Sequence, residues 1–264
     1  MSNRVALISG ASKGLGAATA RLLGQRGLSV VVNYHSDADG AAAVVADIKA
    51  AGGQALAVGG DVTREADVAR LVETTLSMLG RLDILVSNAA FPYVQKAVID
   101  LTLAEFELKV HAEVRAAFLL TQAAVPPMTA QGWGRLIYIS SDHARGPSAP
   151  RMVSHGVSKA ALNTFAKYVA HEVGRRNITA NVVQCGLMRT AASTDLPQAF
   201  RDAFLSRLPL DHIAEPEDMA GAVAFLASDD SRFVTGQVLA VNGGIGLSQF
   251  APPEPAPAGQ ALNK

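Results

Sequence analysis

The sequence predicts an α/β protein: a single Rossmann-like domain with a doubly wound, seven-stranded, mostly parallel sheet and helices on both faces. Two observations predict it. Short β-branched runs alternate with long Ala-rich helical patterns. The strand runs are near-continuously apolar, as strands covered on both faces of a parallel sheet must be. Right-handed crossovers then wind such a chain into one layered sheet. The first strand is Val5–Ser9, followed by a helical pattern near 15–26. Val30–Asn33 leads to a helix near 38–51, and Ala55–Gly59 to one near 65–79. Ile84–Ser87 precedes a long helix near 103–131, and Leu136–Ser140 one near 153–175. The sixth and seventh strands, Ala180–Val183 and Val238–Val241, bracket a helix near 216–228.

Two segments break this rhythm. Residues 187–213 carry Leu187, Met188, Leu196, Phe200, Phe204, Leu205 and Leu208 among polar residues. Ligands of a doubly wound sheet bind beyond the carboxyl ends of its strands. An amphipathic insertion after the sixth strand is therefore expected to form a lid. The end of the chain, 251–264, is Pro/Ala-rich and cannot bury a core. It is expected to be a disordered tail beyond a domain at 1–250.

Composition excludes other classes. The 264 residues hold 23 Lys+Arg against 23 Asp+Glu, without the basic excess of a nucleic-acid binder. One cysteine cannot make an intrachain disulfide. The apolar run at the start is too short for a signal peptide, and Ala116 to Gly134, with Pro126-Pro127, is a poor membrane span. A cytoplasmic protein with a small-molecule substrate is expected, with no nucleic-acid or membrane partner. No metal centre is expected either.

Gly10-Ala11-Ser12-Lys13-Gly14-Leu15-Gly16 follows the first strand. Glycines in that position permit a tight turn and let a pyrophosphate approach N–H groups at a helix N-terminus. Folds of this kind that select NAD place a carboxylate at the end of the second strand. Here that strand ends Asn33-Tyr34-His35-Ser36, with no acid before Asp37. Lys13 could pair with a 2′-phosphate as a point charge. NADP(H) is therefore expected over NAD(H).

Further motifs follow in register: Asp61-Val62, Asn88-Ala89-Ala90, Ile139-Ser140-Ser141, His155-Gly156-Val157-Ser158-Lys159, Gly186-Leu187-Met188-Arg189-Thr190 and Asn242-Gly243-Gly244. With the glycine turn, this ordered set resembles the short-chain dehydrogenase/reductase family across about residues 3–247. It is most similar to the bacterial 3-oxoacyl-carrier-protein reductases. The resemblance implies cofactor contacts at Gly10, Ser12, Lys13, Gly14, Leu15, Gly16, Tyr34, His35, Ser36, Asp61 and Val62. It implies others at Asn88, Ala89, Ala90, Lys159, Gly186, Met188 and Thr190, and a homotetramer or homodimer built on the two long helices and the last strand. Ala160, Ala161 and Phe165 are the apolar residues expected to be exposed there.

In that family a Ser, a Tyr and a Lys carry the chemistry, with an Asn in support. Ser141 and Lys159 stand at the matching positions, but His155 replaces the Tyr and Glu113 the Asn. Cys185-Gly186 replaces Pro-Gly, and Asn88-Ala89-Ala90 replaces Asn-Ala-Gly. An imidazole can exchange a proton with a substrate oxygen, and its usual pKa of about 6.5 lies nearer neutrality than a phenol's value of about 10. Lys159 would lower that pKa; Glu113, if it reaches the site, would raise it. An ionising His155 implies a kcat/KM limb near pH 6–7. His143 is a second candidate acid/base, with a surface histidine the plainer reading. Tyr93 could supply a hydroxyl, though a pocket-wall aromatic is the plainer reading, and Cys185 reads as a packed thiol. Tyr93, His143, Met152 and Leu187 are expected to line the substrate pocket. Together these features imply an NADPH-dependent oxidoreductase acting on a hydrophobic or aromatic ketone or secondary alcohol. The alternative is the same fold used for non-redox acid/base chemistry (lyase, dehydratase, isomerase or cyclase) or for cofactor binding without catalysis.

Overall fold

The computed structural model describes residues 4–147, 149–190, 193 and 196–247. The tail expected at 251–264 lies outside the described residues. Seven strands form one sheet in the order β3-β2-β1-β4-β5-β6-β7, and every pairing is parallel. The strands are β1 (Val5–Ile8), β2 (Ser29–Tyr34), β3 (Gln54–Gly59), β4 (Ile84–Ser87), β5 (Gly134–Ser141), β6 (Ile178–Cys185) and β7 (Val238–Val241). The helices are α1 (Gly14–Gln25), α2 (Ala38–Ala50), α3 (Glu65–Leu79), α4 (Leu103–Gln131), α5 (Val153–Val173), α6 (Gln198–Leu205) and α7 (Pro216–Leu226).

Alternate strand residues feed two cores. Ile8, Val30, Val32 and Val86 pack with α1, α2 and α7 on one face. Leu7, Val31, Leu85 and Leu136 pack with α3, α4 and α5 on the other. This accounts for the unbroken apolar strands. β5 and β6 run longer than their apolar stretches because buried polar residues extend them. Arg135 stacks on Trp133 at 4.1 Å and donates to the Ser228 carbonyl at 3.3 Å. Gln184 donates to Asp142 Oδ1 at 3.0 Å. Each of these polar groups finds a partner inside, although burial still pushes the Arg135 guanidinium down to about 10.

The strand order reverses between β1 and β4, which opens the crevice where such sheets bind ligands. Every motif of the sequence falls on the carboxyl edge flanking that crevice. The ends of the 187–213 segment are tied together, for Arg189 N donates to the Ala214 carbonyl at 2.8 Å. Within the segment, Phe200 and Phe204 stack on α6 at 6.5 Å, and Leu208 is buried. No helix among the described residues is long and apolar enough to cross a membrane.

Candidate active site

The glycine turn is held by asparagines from both neighbouring strands. Asn33, at the end of β2, accepts from Gly10 N at 3.3 Å and donates to the Gly60 carbonyl at 3.1 Å. Asn88, after β4, donates to the Ser9 and Gly10 carbonyls at 2.9 and 3.0 Å. A Cβ on Gly16 would lie 2.5 Å from the Gly10 carbonyl oxygen, and one on Gly10 2.8 Å from Ala89 Cα. Glycine is required at both positions by this close backbone approach.

No side chain caps α1, whose first N–H groups face the crevice edge behind Lys13. Thr190 closes the crevice from the β6 side: a Cβ on Gly14 would lie 3.9 Å from its methyl group. Lys13 is exposed and makes no ion pair among the described residues. Tyr34 leans over Gly59, while His35 and Ser36 are exposed. Asp37 is spent capping α2, accepting from Gly40 N at 3.1 Å. Burial works against the Asp61 charge, but Thr63 hydrogen bonds and the His35 and Arg64 charges hold the carboxyl below its ordinary range. An uncapped helix behind a glycine turn, with no free carboxylate beside it, fits a dinucleotide pyrophosphate.

β5 ends at Ser141, which caps a 3₁₀ turn at Asp142–Ala144, its Oγ accepting from His143 N at 3.4 Å. Gly156 lets α5 pack on that turn, since a Cβ there would lie 3.0 Å from the His143 carbonyl oxygen. His155 is thereby placed between two rings. Tyr93 stacks on it at 4.8 Å and 24°, and His143 meets it edge-on at 5.3 Å. Its Nδ1 is buried without a hydrogen-bond partner among the described residues.

One turn on, the Lys159 ammonium donates to the Ile139 carbonyl at 2.7 Å and to Glu113 Oε1 at 2.6 Å. The other carboxylate oxygen, Oε2, accepts from Lys109 Nζ at 2.6 Å. Lys109 in turn donates to the Phe91 carbonyl at 3.2 Å. Lys109 and Glu113 are 2% and 5% exposed. Glu113 thus reaches the site, as its alignment implies, but it is shared between two ammonium groups.

Burial, more than that sharing, bears on the ionisation of His155. Burial, then Lys109, Lys159 and His143, push its pKa down to about 3, with Glu113 alone opposing. With its pKa so lowered the imidazole is neutral near pH 7, and no limb near pH 6–7 is expected from it. His143 is also lowered, by burial, against the pull of Asp142; it is half-buried beside His155 and not a surface histidine. Glu113 stays below the usual carboxylate range, the two ammonium groups overcoming its burial. Burial pushes the Cys185 thiol up to about 12, which leaves it no nucleophilic character.

Ser141, His155, Lys159, Glu113, Tyr93 and His143 are therefore brought to one edge. Met152 and Leu187 are half-buried at the start of α5 and beyond the end of β6. Lys109 does not stand out in the sequence. Its one signal is the i,i+4 spacing to Glu113 on α4, which places the two on one helix face.

A family model described as enoyl-(acyl carrier protein) reductase matches residues 10–246. The chain is 36% identical to a 3-oxoacyl-[acyl-carrier-protein] reductase of Synechocystis, over 92% of this chain and 96% of the relative. It superposes on a variant of a Serratia marcescens short-chain dehydrogenase/reductase with TM-score 0.87 and 32% identity, covering 92% of this chain and 98% of that one. A blue fluorescent protein from a metagenomic library, solved with NADPH, is similar at TM-score 0.85 and 35% identity, covering 93% and 98%.

Proposed function

Because the chain belongs to the short-chain dehydrogenase/reductase family, we propose that it is a cytoplasmic NADP(H)-dependent oxidoreductase. It interconverts a ketone and a secondary alcohol on a hydrophobic or aromatic substrate. The observation that carries the reading is the Lys159 ammonium, fixed by Ile139 and Glu113 one turn from His155 on the edge where the glycine turn opens. Two of its three N–H groups are used, and the third is left for a ribose hydroxyl.

The nicotinamide, when bound, supplies or accepts the hydride. The chain's own residues do the rest. Ser141 donates a hydrogen bond to the substrate oxygen. His155, uncharged, adds a ring N–H to the same oxygen as a neutral electrophile, and the proton that completes the alcohol comes from water relayed through the Ser141 hydroxyl. Thr190 faces the carboxamide, and Phe91, Tyr93, Met152, Leu187 and Met188, all half-buried, give the pocket its apolar wall.

A second reading, non-redox acid/base chemistry or binding without catalysis, is favoured by the same neutral His155. Such a group stabilises a developing oxyanion but gives up its proton only reluctantly. Fluorescence titration with NADPH and NADP⁺, followed by absorbance assays over a panel of ketones and alcohols, separates the two. Turnover supports the first reading. Tight binding without turnover across the panel supports the second, and absence of binding overturns the first.

Lys13→Glu is expected to weaken NADP(H) far more than NAD(H), because it sets like charge beside the 2′-phosphate. Equal loss for both cofactors would remove Lys13 from phosphate reading. We also propose a symmetric dimer or tetramer. On the two long helices Leu103, Leu108, Phe118, Val157 and Tyr168 are the large exposed apolar residues, at 70%, 56%, 49%, 42% and 68%, whereas Ala160, Ala161 and Phe165 are half-buried. Sedimentation at micromolar concentration should show a species at least twice 27.4 kDa.

A further inference from the structure

The family resemblance assigns no role to Lys109, yet its ammonium is buried at the centre of the site. We propose that Lys109 is a positioning residue that acts through Glu113, sharing its carboxylate so that the Lys159 ammonium keeps an N–H for the cofactor and the carboxylate's pull on His155 stays opposed. The proposal rests on the NADP(H) reading above for its first half only.

The geometry supports it in three ways. The two carboxylate oxygens are divided, one to each lysine, both at 2.6 Å. Neither ammonium can take the whole charge while the other remains. Lys109 is also tied to the loop after β4: it donates to the Phe91 carbonyl at 3.2 Å and lies 5.9 Å from the Tyr93 ring. Tyr93 is the ring that stacks on His155. Lastly, the Lys109–Glu113 pair adds no net charge, so the cluster keeps the single positive charge that Lys159 alone would give.

The groups facing His155 are Lys109 and Glu113 from α4, Lys159 from α5, His143 from the 3₁₀ turn and Tyr93 from the loop after β4. Removing Lys109 takes away a positive neighbour and leaves the carboxylate's pull on His155 less opposed. The same loss lets Glu113 close on Lys159 alone, which draws its ammonium away from the ribose side and offsets its charge.

The test is a double-mutant cycle on the full chain. Lys109→Met should raise the His155 titration, followed by NMR without cofactor, by about one pH unit or more. It should also weaken NADPH binding roughly fivefold or more, while Lys109→Arg stays within about twofold of the parent. In Lys109→Met/Glu113→Gln the NADPH affinity should return to that of Glu113→Gln alone, because Lys109 then has no carboxylate to act through, whereas its direct charge effect on His155 persists. A merely structural lysine would not be rescued by losing its partner. The proposal is overturned if folded Lys109→Met leaves the His155 titration unmoved, which includes no titration in either protein down to the acid limit of the fold. It is equally overturned if the loss persists in the double variant. Should Lys109→Met not fold, Glu113→Gln and the double variant are compared directly. Equal NADPH affinity supports the proposal, and a further loss in the double variant overturns it. A parent that binds no NADPH overturns the oxidoreductase reading, and the His155 titration then decides the role of Lys109 by itself.

Discussion

His155→Ala is expected to lower kcat by about 10²-fold while NADPH affinity holds within about twofold. The asymmetry follows from placement. His155 lies between Tyr93 and His143, whereas on the proposed reading the glycine turn and Lys159 hold the cofactor. Because burial and the surrounding positive groups push the imidazole down to about 3, the parent's rate should be free of a His155 limb between pH 6 and 8. The folded-state pKa lies below the unfolded value of about 6.5, so the unfolded chain takes up this proton first. The protein therefore loses stability as pH falls below about 6.5. His155→Tyr separates the two accounts of the substitution. If His155 displaced a tyrosine without gaining a role, the variant should reduce carbonyl substrates better than the parent. If the neutral imidazole is the working electrophile, the variant should lose the native reaction. Native turnover indifferent to both substitutions would transfer the role to Tyr93 or His143.

Glu113→Gln is expected to cost about 3 kcal/mol of stability, measured by denaturant unfolding at pH 7. It leaves two buried ammonium groups without a counter-charge, and removal of one partner from a buried ion pair is far more damaging than replacement of the whole set. Lys109→Met/Glu113→Gln should therefore be more stable than Glu113→Gln, although it carries one more substitution. The pH dependence has a definite sign. Glu113 is held below its unfolded pKa of about 4.3. Its contribution is complete above that value and is lost as pH falls through the folded-state pKa. The parent should accordingly destabilise in acid more steeply than Glu113→Gln, and equal slopes would show that the carboxylate is not held by the lysines in solution.

The sheet was legible because its strands are covered on both faces, and an unbroken apolar run as short as Val30-Val31-Val32 suits a buried parallel strand better than a helix. The cradle was legible because close backbone approach leaves only glycine at Gly10 and Gly16. Strand ends were less so. Gln184 looks like a loop residue until Asp142 provides its partner, which lies 42 residues away in sequence. The charge state of His155 was out of reach for a similar reason. Lys159 could be seen one helical turn away, but Lys109 in Phe-Glu-Leu-Lys-Val-His reads as an ordinary solvated lysine. Only the packing of α4 under the Phe91 loop buries it. Glu113 alone, visible as a departure from the family pattern, suggested a field of the wrong sign.

The lacing of the glycine turn has a thermodynamic consequence. Asn33 and Asn88 fix the Gly10 backbone from two strands at once, and Ser9 Oγ accepts from Asn88 N and Ala89 N at 2.9 and 3.0 Å. These bonds are made by the protein alone, so the loop's conformational entropy is surrendered during folding and not again when a ligand arrives. Most of a dinucleotide's contact energy on this side is then available as affinity, undiminished by loop ordering. The same rigidity leaves the turn little freedom to widen. A bound molecule would therefore be released by movement on the opposite wall, where the chain leaves β6 and where Met188 and Arg189 meet Ala214 and Glu215 to hold the two ends of the segment together.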